Sequence, residues 1–227
     1  MNDSPNVRAL PSPTSSVRLW WCRLRADGSD AESFEAILSD DERRRAARFG
    51  MALLRDRYVT GRVALRRVLG MILDIAPADV CIVRGTRGRP HVNDAVGIDF
   101  NVSHTGDCAL VGVSTDARIG VDVERRNRQI NVEGLARKFL TAGERDALDP
   151  LDDDARRVHV LTLWTCKEAM SKATGDALSA PFASIDVDLR QGPHLRAGPG
   201  MYAPSAWILH AAQVPGDHVA TVALWRA

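Results

Sequence analysis

The sequence predicts an α+β fold made of two similar halves related by an approximate two-fold axis. Three observations carry this. A succession of strand, helices, strand and hairpin runs through the first half of the chain and then restarts. Each half has a Ser/Thr-x-x-Glu capping box near a helical run, Ser39 with Glu42 and Thr141 with Glu144. Each half closes on paired strand-like runs. The expected division is a flexible lead-in over residues 1–17, a first half over 18–117 and a second over 118–227.

The elements follow in order. VRLWWCRL reads as a strand. DERRRAARF, entered through Ser39, reads as a helix. LRDRYVTGRVALRRVLG reads as a longer one with Gly70 near its end. ADVCIVRGTRGRPHV is a strand running into a turn rich in glycine and arginine. GIDFNVSHTGDCALVGVS is a hairpin about Thr105-Gly106-Asp107. The second half opens with the strand IGVDVERR, followed by the helix GLARKF and a helix from about Arg156 to Gly175. SIDVDLR is a strand, and AWILHAAQV with HVATVALW forms the closing hairpin. A cleft between two such halves is a common place for a ligand.

Composition narrows the function. A chain of 227 residues with net charge +1 has no global attraction to nucleic acid or to an acidic membrane. The four cysteines, Cys22, Cys81, Cys108 and Cys166, are scattered and form no CxxC pair, which argues against zinc and for a reducing, cytoplasmic setting. The first residues, polar and proline-containing, lack the apolar run of a secretion signal, and no apolar stretch approaches the length of a membrane span.

The chemistry concentrates in GVDVE and in LWTCKEAMSK. On a strand, alternate side chains share a face, so Asp122 and Glu124 lie opposite Val121 and Val123. Two like charges side by side are either the wet face of an edge strand or the ligands of a cation. Magnesium suits the second reading, because it takes oxygen ligands and a few carboxylates alongside substrate phosphates. Glu168 is a natural third ligand if its helix lies beside the strand. Glu168 and Lys172, four apart, otherwise make an ordinary helical ion pair. Beside a metal that holds phosphate, Lys167 and Lys172 become phosphate partners. The turn RGTRGRP offers Arg84, Arg87 and Arg89, whose forks match phosphate oxygens. Asn101, Ser103 and His104 stand where a strand ends.

Together these pieces resemble the Sfp-type 4'-phosphopantetheinyl transferases. GVDVE is similar to the family's Gly-Ile/Val-Asp-x-Glu element and WTCKEAMSK to its Trp-x-x-Lys-Glu-x-x-x-Lys element. FNVSHTGD, RGTRGRP, FLTAGE and the arginine-rich run RRRAARF to RDRYVTGRVALRR support the likeness, which spans residues 19 to 190. The resemblance implies the 4'-phosphopantetheinyl transferase fold of two α+β halves. It implies coenzyme A in the cleft and magnesium, with manganese as a substitute, on its diphosphate. By position, Asp122, Glu124 and Glu168 match metal ligands. Lys167 and Lys172 match lysines near the phosphates, and Asp122 also faces the cofactor. Arg45, Arg84, Arg87, Arg89, Asn101, Ser103 and His104 match residues that hold coenzyme A. Arg89 stands where relatives often carry lysine, and Thr105 where they often carry serine.

The implied reaction moves phosphopantetheine from coenzyme A to a serine of an apo carrier protein of acyl, polyketide or peptidyl type. Lys172 is expected to offset charge on the leaving phosphate. Glu144 is expected either as the base that takes the serine proton or as nothing more than the helix cap of Thr141. The implied enzyme is a cytoplasmic monomer without nucleic-acid or membrane partners. Two rivals share parts of this pattern: a magnesium-dependent phosphohydrolase on the same carboxylates, and a nucleic-acid binder using the arginine-rich helices.

Overall fold

The computed structural model describes residues 6–25, 31–85, 87–92 and 97–226. The first half runs through β1 (Val7–Leu10), β2 (Val17–Arg23), α1 (Ala31–Ile37), α2 (Asp40–Ala46), α3 (Ala52–Leu73), β3 (Ile82–Arg84), β4 (Pro90–Val92), β5 (Asp99–Thr105) and β6 (Cys108–Ser114). The second runs through β7 (Arg118–Arg125), α4 (Val132–Phe139), α5 (Ala142–Asp146), α6 (Asp153–Thr174), β8 (Asp186–Asp188), β9 (His194–Ala197), β10 (Trp207–Ala211) and β11 (His218–Trp225). From β2 and from β7 the order is the same: a strand, three helices, a small hairpin and a larger one. The fold is α+β.

Residues 7–10, expected inside a flexible lead-in, are instead an edge strand. Val7 is buried and β1 pairs antiparallel with β2 in the register Val7↔Cys22 to Leu10↔Leu19. Four residues are too few to show a period of their own, so only the partner strand reveals them. Residues 1–5 lie outside the described part.

The strands form one antiparallel sheet in the order β1-β2-β6-β5 and a second in the order β10-β11-β7. Alternation divides each strand between two cores. Leu19 and Trp21 of β2 meet Val121 and Val123 of β7 and Val222 of β11 between the sheets. Trp20 and Cys22 face the other way, onto Leu65, Val68 and Leu69 of α3. Below the second sheet, α6 contributes Leu163, Cys166, Met170 and Ala173 to a third core with Phe182 and Leu209. The helices therefore flank a pair of facing sheets. At Gly120 the backbone of α6 comes so close that a Cβ would stand 1.8 Å from the Ala169 carbonyl oxygen. Only glycine permits that approach.

Both halves are fastened by the same device. Ser39 caps α2 and its box partner Glu42 is buried, receiving Nε of Arg66 at 2.6 Å. Arg66 then donates to the carbonyls of Pro77, Ala78 and Val80. Thr141 caps α5 and its box partner Glu144 is buried, receiving Nζ of Lys167 at 2.6 Å. Lys167 also donates to the carbonyls of Phe139 and Phe182. Arg66 and Lys167 are each the fifteenth residue of a 22-residue helix. The pseudo-repeat thus reaches individual side chains.

Candidate active site

The first sheet ends on β5 and the second on β7, and these two edges lie side by side. No backbone ladder joins them. The outward N–H groups of Ile119, Val121 and Val123 donate to side chains of β5: Asp99 Oδ2 at 2.7 Å, Asn101 Oδ1 at 3.0 Å and Ser103 Oγ at 3.4 Å. The carbonyl of Ile119 accepts from Arg89 Nη2 at 2.7 Å, and that of Val121 from Lys172 Nζ at 3.3 Å. A buried strand edge must satisfy its polar groups, and here five side chains do so.

Asp122 and Glu124 point from β7 toward α6. The wet-edge alternative for this strand does not hold, because Asp122 is only 4% exposed. Its Oδ1 receives Lys172 Nζ at 2.6 Å and the Ser103 hydroxyl at 2.7 Å. Its Oδ2 is buried with no hydrogen-bond partner, and so is Oε1 of Glu168 across on α6. Glu124 receives the Thr105 hydroxyl at 3.1 Å on Oε2 and the Arg128 guanidinium on Oε1. The three carboxylates act on one another. Burial raises the pKa of Glu168, with Lys172 opposing and the charges of Asp122 and Glu124 adding to it. Burial likewise raises Glu124, with Arg128 opposing and Asp122 adding.

Two orphaned carboxylate oxygens on facing elements, in a site short of positive charge, suit an oxygen-seeking dication. Among the described residues no three acidic, histidine or cysteine side chains stand ready-made as a metal cage. Lys172 and Arg128 are themselves seated on Asp122 and Glu124.

The raised pKa of Glu168 has a thermodynamic consequence. Its folded value exceeds the ordinary 4.5, so the folded state holds the proton more tightly and the ionised group costs stability above that pH. Glu168→Gln is therefore expected to raise the thermal midpoint of the metal-free protein at pH 7, with the gap closing as pH falls toward 4.5. A variant less stable than the parent at pH 7 would contradict the crowding of these charges.

Lys167 and Glu144 are not with this cluster. Lys167 is fully buried, turned into the second-half core, and its three donors are spent on Glu144 and two carbonyls. Burial lowers its pKa while Glu144 pulls the other way. Glu144 is 2% exposed; beyond Lys167 it accepts from the backbone N–H groups of Thr141 and Val187. The carboxylate and the ammonium are thus bonded to each other and to backbone groups of the second-half core. The helix cap expected of Glu144 is present. Arg89 is also committed elsewhere. It forks onto Asp99 at 2.7 and 2.6 Å and bonds the carbonyls of Lys172, Phe100 and Ile119. Arg87 crosses to Asp176 at 2.6 Å.

The remaining basic residues lie apart from the carboxylates. Exposed Arg45 sits over the Tyr58 ring at 5.5 Å and lines a groove of about 480 Å³ with Arg44, Arg48 and Phe49. Arg84, whose Nη1 holds the Gly88 carbonyl at 2.8 Å, acts on the same Tyr58 phenol as Arg45. Asn101 and Ser103 are buried in the seam, and His104 beyond them is exposed. Asp99 and Arg128 escaped notice as site residues, and Thr105 was noted only as standing in for a serine. Asp99, Asn101 and Ser103 repeat at every second position of DFNVS, and polar groups on the buried face of a strand were the available signal.

Comparison with known proteins gives the family. Residues 118–223 match the model of the 4'-phosphopantetheinyl transferase superfamily. Residues 26–116 match that of the 4'-phosphopantetheinyl transferase N-terminal region. The chain is 35% identical to the 4'-phosphopantetheinyl transferase HetI of Nostoc sp. over 188 residues, 82% of this chain and 78% of that protein. It is 28% identical to the 4'-phosphopantetheinyl transferase Sfp of Bacillus subtilis over 70% of each. A solved holo-(acyl-carrier-protein) synthase from Bacillus anthracis, in complex with CoA (3',5'-ADP), aligns at 26% identity over 49% of this chain and 97% of its own, with a TM-score of 0.37. With two facing carboxylate-bearing elements in place and a relative matched along most of its length, the chain belongs to the 4'-phosphopantetheinyl transferase superfamily.

Proposed function

We infer that the protein transfers the 4'-phosphopantetheine group of coenzyme A to a serine hydroxyl of an apo carrier protein and releases adenosine 3',5'-bisphosphate. Family membership supports the reaction class. The observation that carries the site is the pair of unpartnered buried oxygens, Asp122 Oδ2 on β7 and Glu168 Oε1 on α6, two carboxylates close enough for the charge of one to act on the other.

In this reading the serine oxygen attacks the phosphorus next to pantetheine. The bond to the bridging oxygen breaks, the bisphosphate leaves with the electron pair, and the serine proton passes to solvent water. Such transfer depends on positioning and on charge stabilisation rather than on covalent chemistry. Asp122, Glu124 and Glu168 would hold magnesium, which when bound neutralises the diphosphate and aligns it. Lys172 is the cation this reading gives to the departing phosphate. It is a quarter exposed, and its ammonium, seated on Asp122, Ser103 and the Val121 carbonyl, would exchange part of that set for the phosphate. Arg45, in the groove lined by Phe49, and Arg84, near the adjoining Tyr58, offer their charges to the nucleotide end. Ser103 and Asn101 act by fixing β7, the strand that presents two of the carboxylates.

The proposed enzyme works as a monomer in the cytoplasm. All four of its cysteines are free thiols, and no helix among the described residues is long and apolar enough to cross a membrane. Incubation with coenzyme A, magnesium and a panel of apo carriers should add the phosphopantetheine mass to the carrier serine. Release of nucleotide with no mass gain on any carrier would indicate hydrolysis instead.

A further inference from the structure

The protein's own cations occupy the carboxylates that the reading above gives to a metal. Lys172 on Asp122 is accounted for there. Arg128 is not. It lies in the turn after β7, where its N–H closes onto the Arg125 carbonyl at 3.0 Å, and its guanidinium reaches back four residues to Glu124 Oε1. The two ends of this pair differ sharply in setting. The Glu124 side chain is 12% exposed, whereas that of Arg128 is 48% exposed. Glu124 is thus held, with Thr105 on its other oxygen, while the half-exposed Arg128 has water to turn to and would leave Oε1 open to another cation.

We propose that Arg128 is a built-in counter-ion, seated on Glu124 in the metal-free protein and displaced when a divalent cation takes that carboxylate. The inference rests on the metal reading of the site. Without a cation, three carboxylates would face one another across β7 and α6 with Lys172 alone against them. Arg128 supplies the second positive charge and lowers the repulsion. The same contact then stands in the metal's way, because a ligand that must first shed a partner binds more weakly. Metal affinity in this chain is a competition, and the guanidinium sets its level.

The test is manganese binding to the full chain in the absence of coenzyme A, read from the free-ion electron paramagnetic resonance signal. Arg128→Gln should bind Mn2+ about two- to fivefold more tightly than the parent, the range that a partly exposed ion pair commands. Arg128→Lys should fall between. Arg126→Gln removes an equal charge two residues from Glu124. Arg126, however, is directed to the His218 carbonyl at 3.4 Å and to Asp217, so its loss should leave affinity at the parent value. The thermal midpoint gives a second reading. Without metal Arg128→Gln should melt below the parent, and saturating Mn2+ should stabilise it more than it stabilises the parent. Unchanged or weaker binding in Arg128→Gln overturns the proposal, as does equal tightening in Arg126→Gln. Failure of the parent itself to bind Mn2+, with or without coenzyme A, removes the metal reading and the counter-ion together.

Discussion

Asp122→Asn is expected to lower phosphopantetheine transfer by about a thousandfold or more, the several kcal/mol that metal-assisted charge stabilisation supplies. The change keeps the volume of the side chain and an oxygen to receive the Ser103 hydroxyl. It removes the charge that faces Glu168 and seats Lys172. Because the seam around β7 is made by Asp99, Asn101, Ser103, Arg89 and Lys172, the fold should survive and the loss should appear in turnover. Raising magnesium should not restore the rate. A variant brought to parental activity by excess metal would show that Asp122 is not a ligand.

Lys167→Met should act on stability and leave chemistry nearly alone. It strips the paired cation from a buried carboxylate, leaves the Phe139 carbonyl without its ammonium donor and leaves the Phe182 carbonyl with only the Ile185 N–H. Breaking a buried pair from one side costs about 3–5 kcal/mol, because the surviving charge has no solvent to turn to. Denaturant unfolding should record that loss. Replacing Glu144 by Gln in the same chain should recover part of it, since the remaining amide is neutral. Transfer per folded molecule should stay near the parental rate in both variants. The opposite pattern, intact stability with transfer abolished, would return Lys167 to the phosphates and Glu144 to the reacting serine.

The different surroundings of Lys167 and Lys172, expected together near the phosphates, show where the sequence was legible and where it needed a helix drawn in full. Glu168 and Lys172 are four apart and share a face, so their presence at one site could be read directly, although Lys172 bonds Asp122 and not Glu168. Lys167 is one residue from Glu168 and therefore turned by about 100°. It falls in line with Val160, Leu163 and Met170, which are core residues. Its identity as a lysine drew attention to phosphate, while its place on an apolar stripe pointed inward. Alternation in GVDVE and the two capping boxes were reliable because each depends on neighbours within a few residues. The pairing of β1, the short helix α1 and the burial of Arg89 depend on partners far along the chain. Arg89 in particular reads as a basic loop residue until Asp99, Ile119 and Lys172 are brought around it. Family likeness supplied the reaction, which no local pattern could have done.

The seam between β5 and β7 bears on how the protein stays dispersed as well as on how it works. A strand with free N–H and C=O groups along one side is a template on which another molecule can add a strand. In β7 that side is stoppered by carboxylate, amide, hydroxyl, guanidinium and ammonium groups, none of which can be extended by a neighbouring backbone. The residues around the reaction site thereby also serve as a guard against aggregation. A change at Asn101 or Arg89 would then be felt first as precipitation in the test tube, before any defect in turnover could be measured.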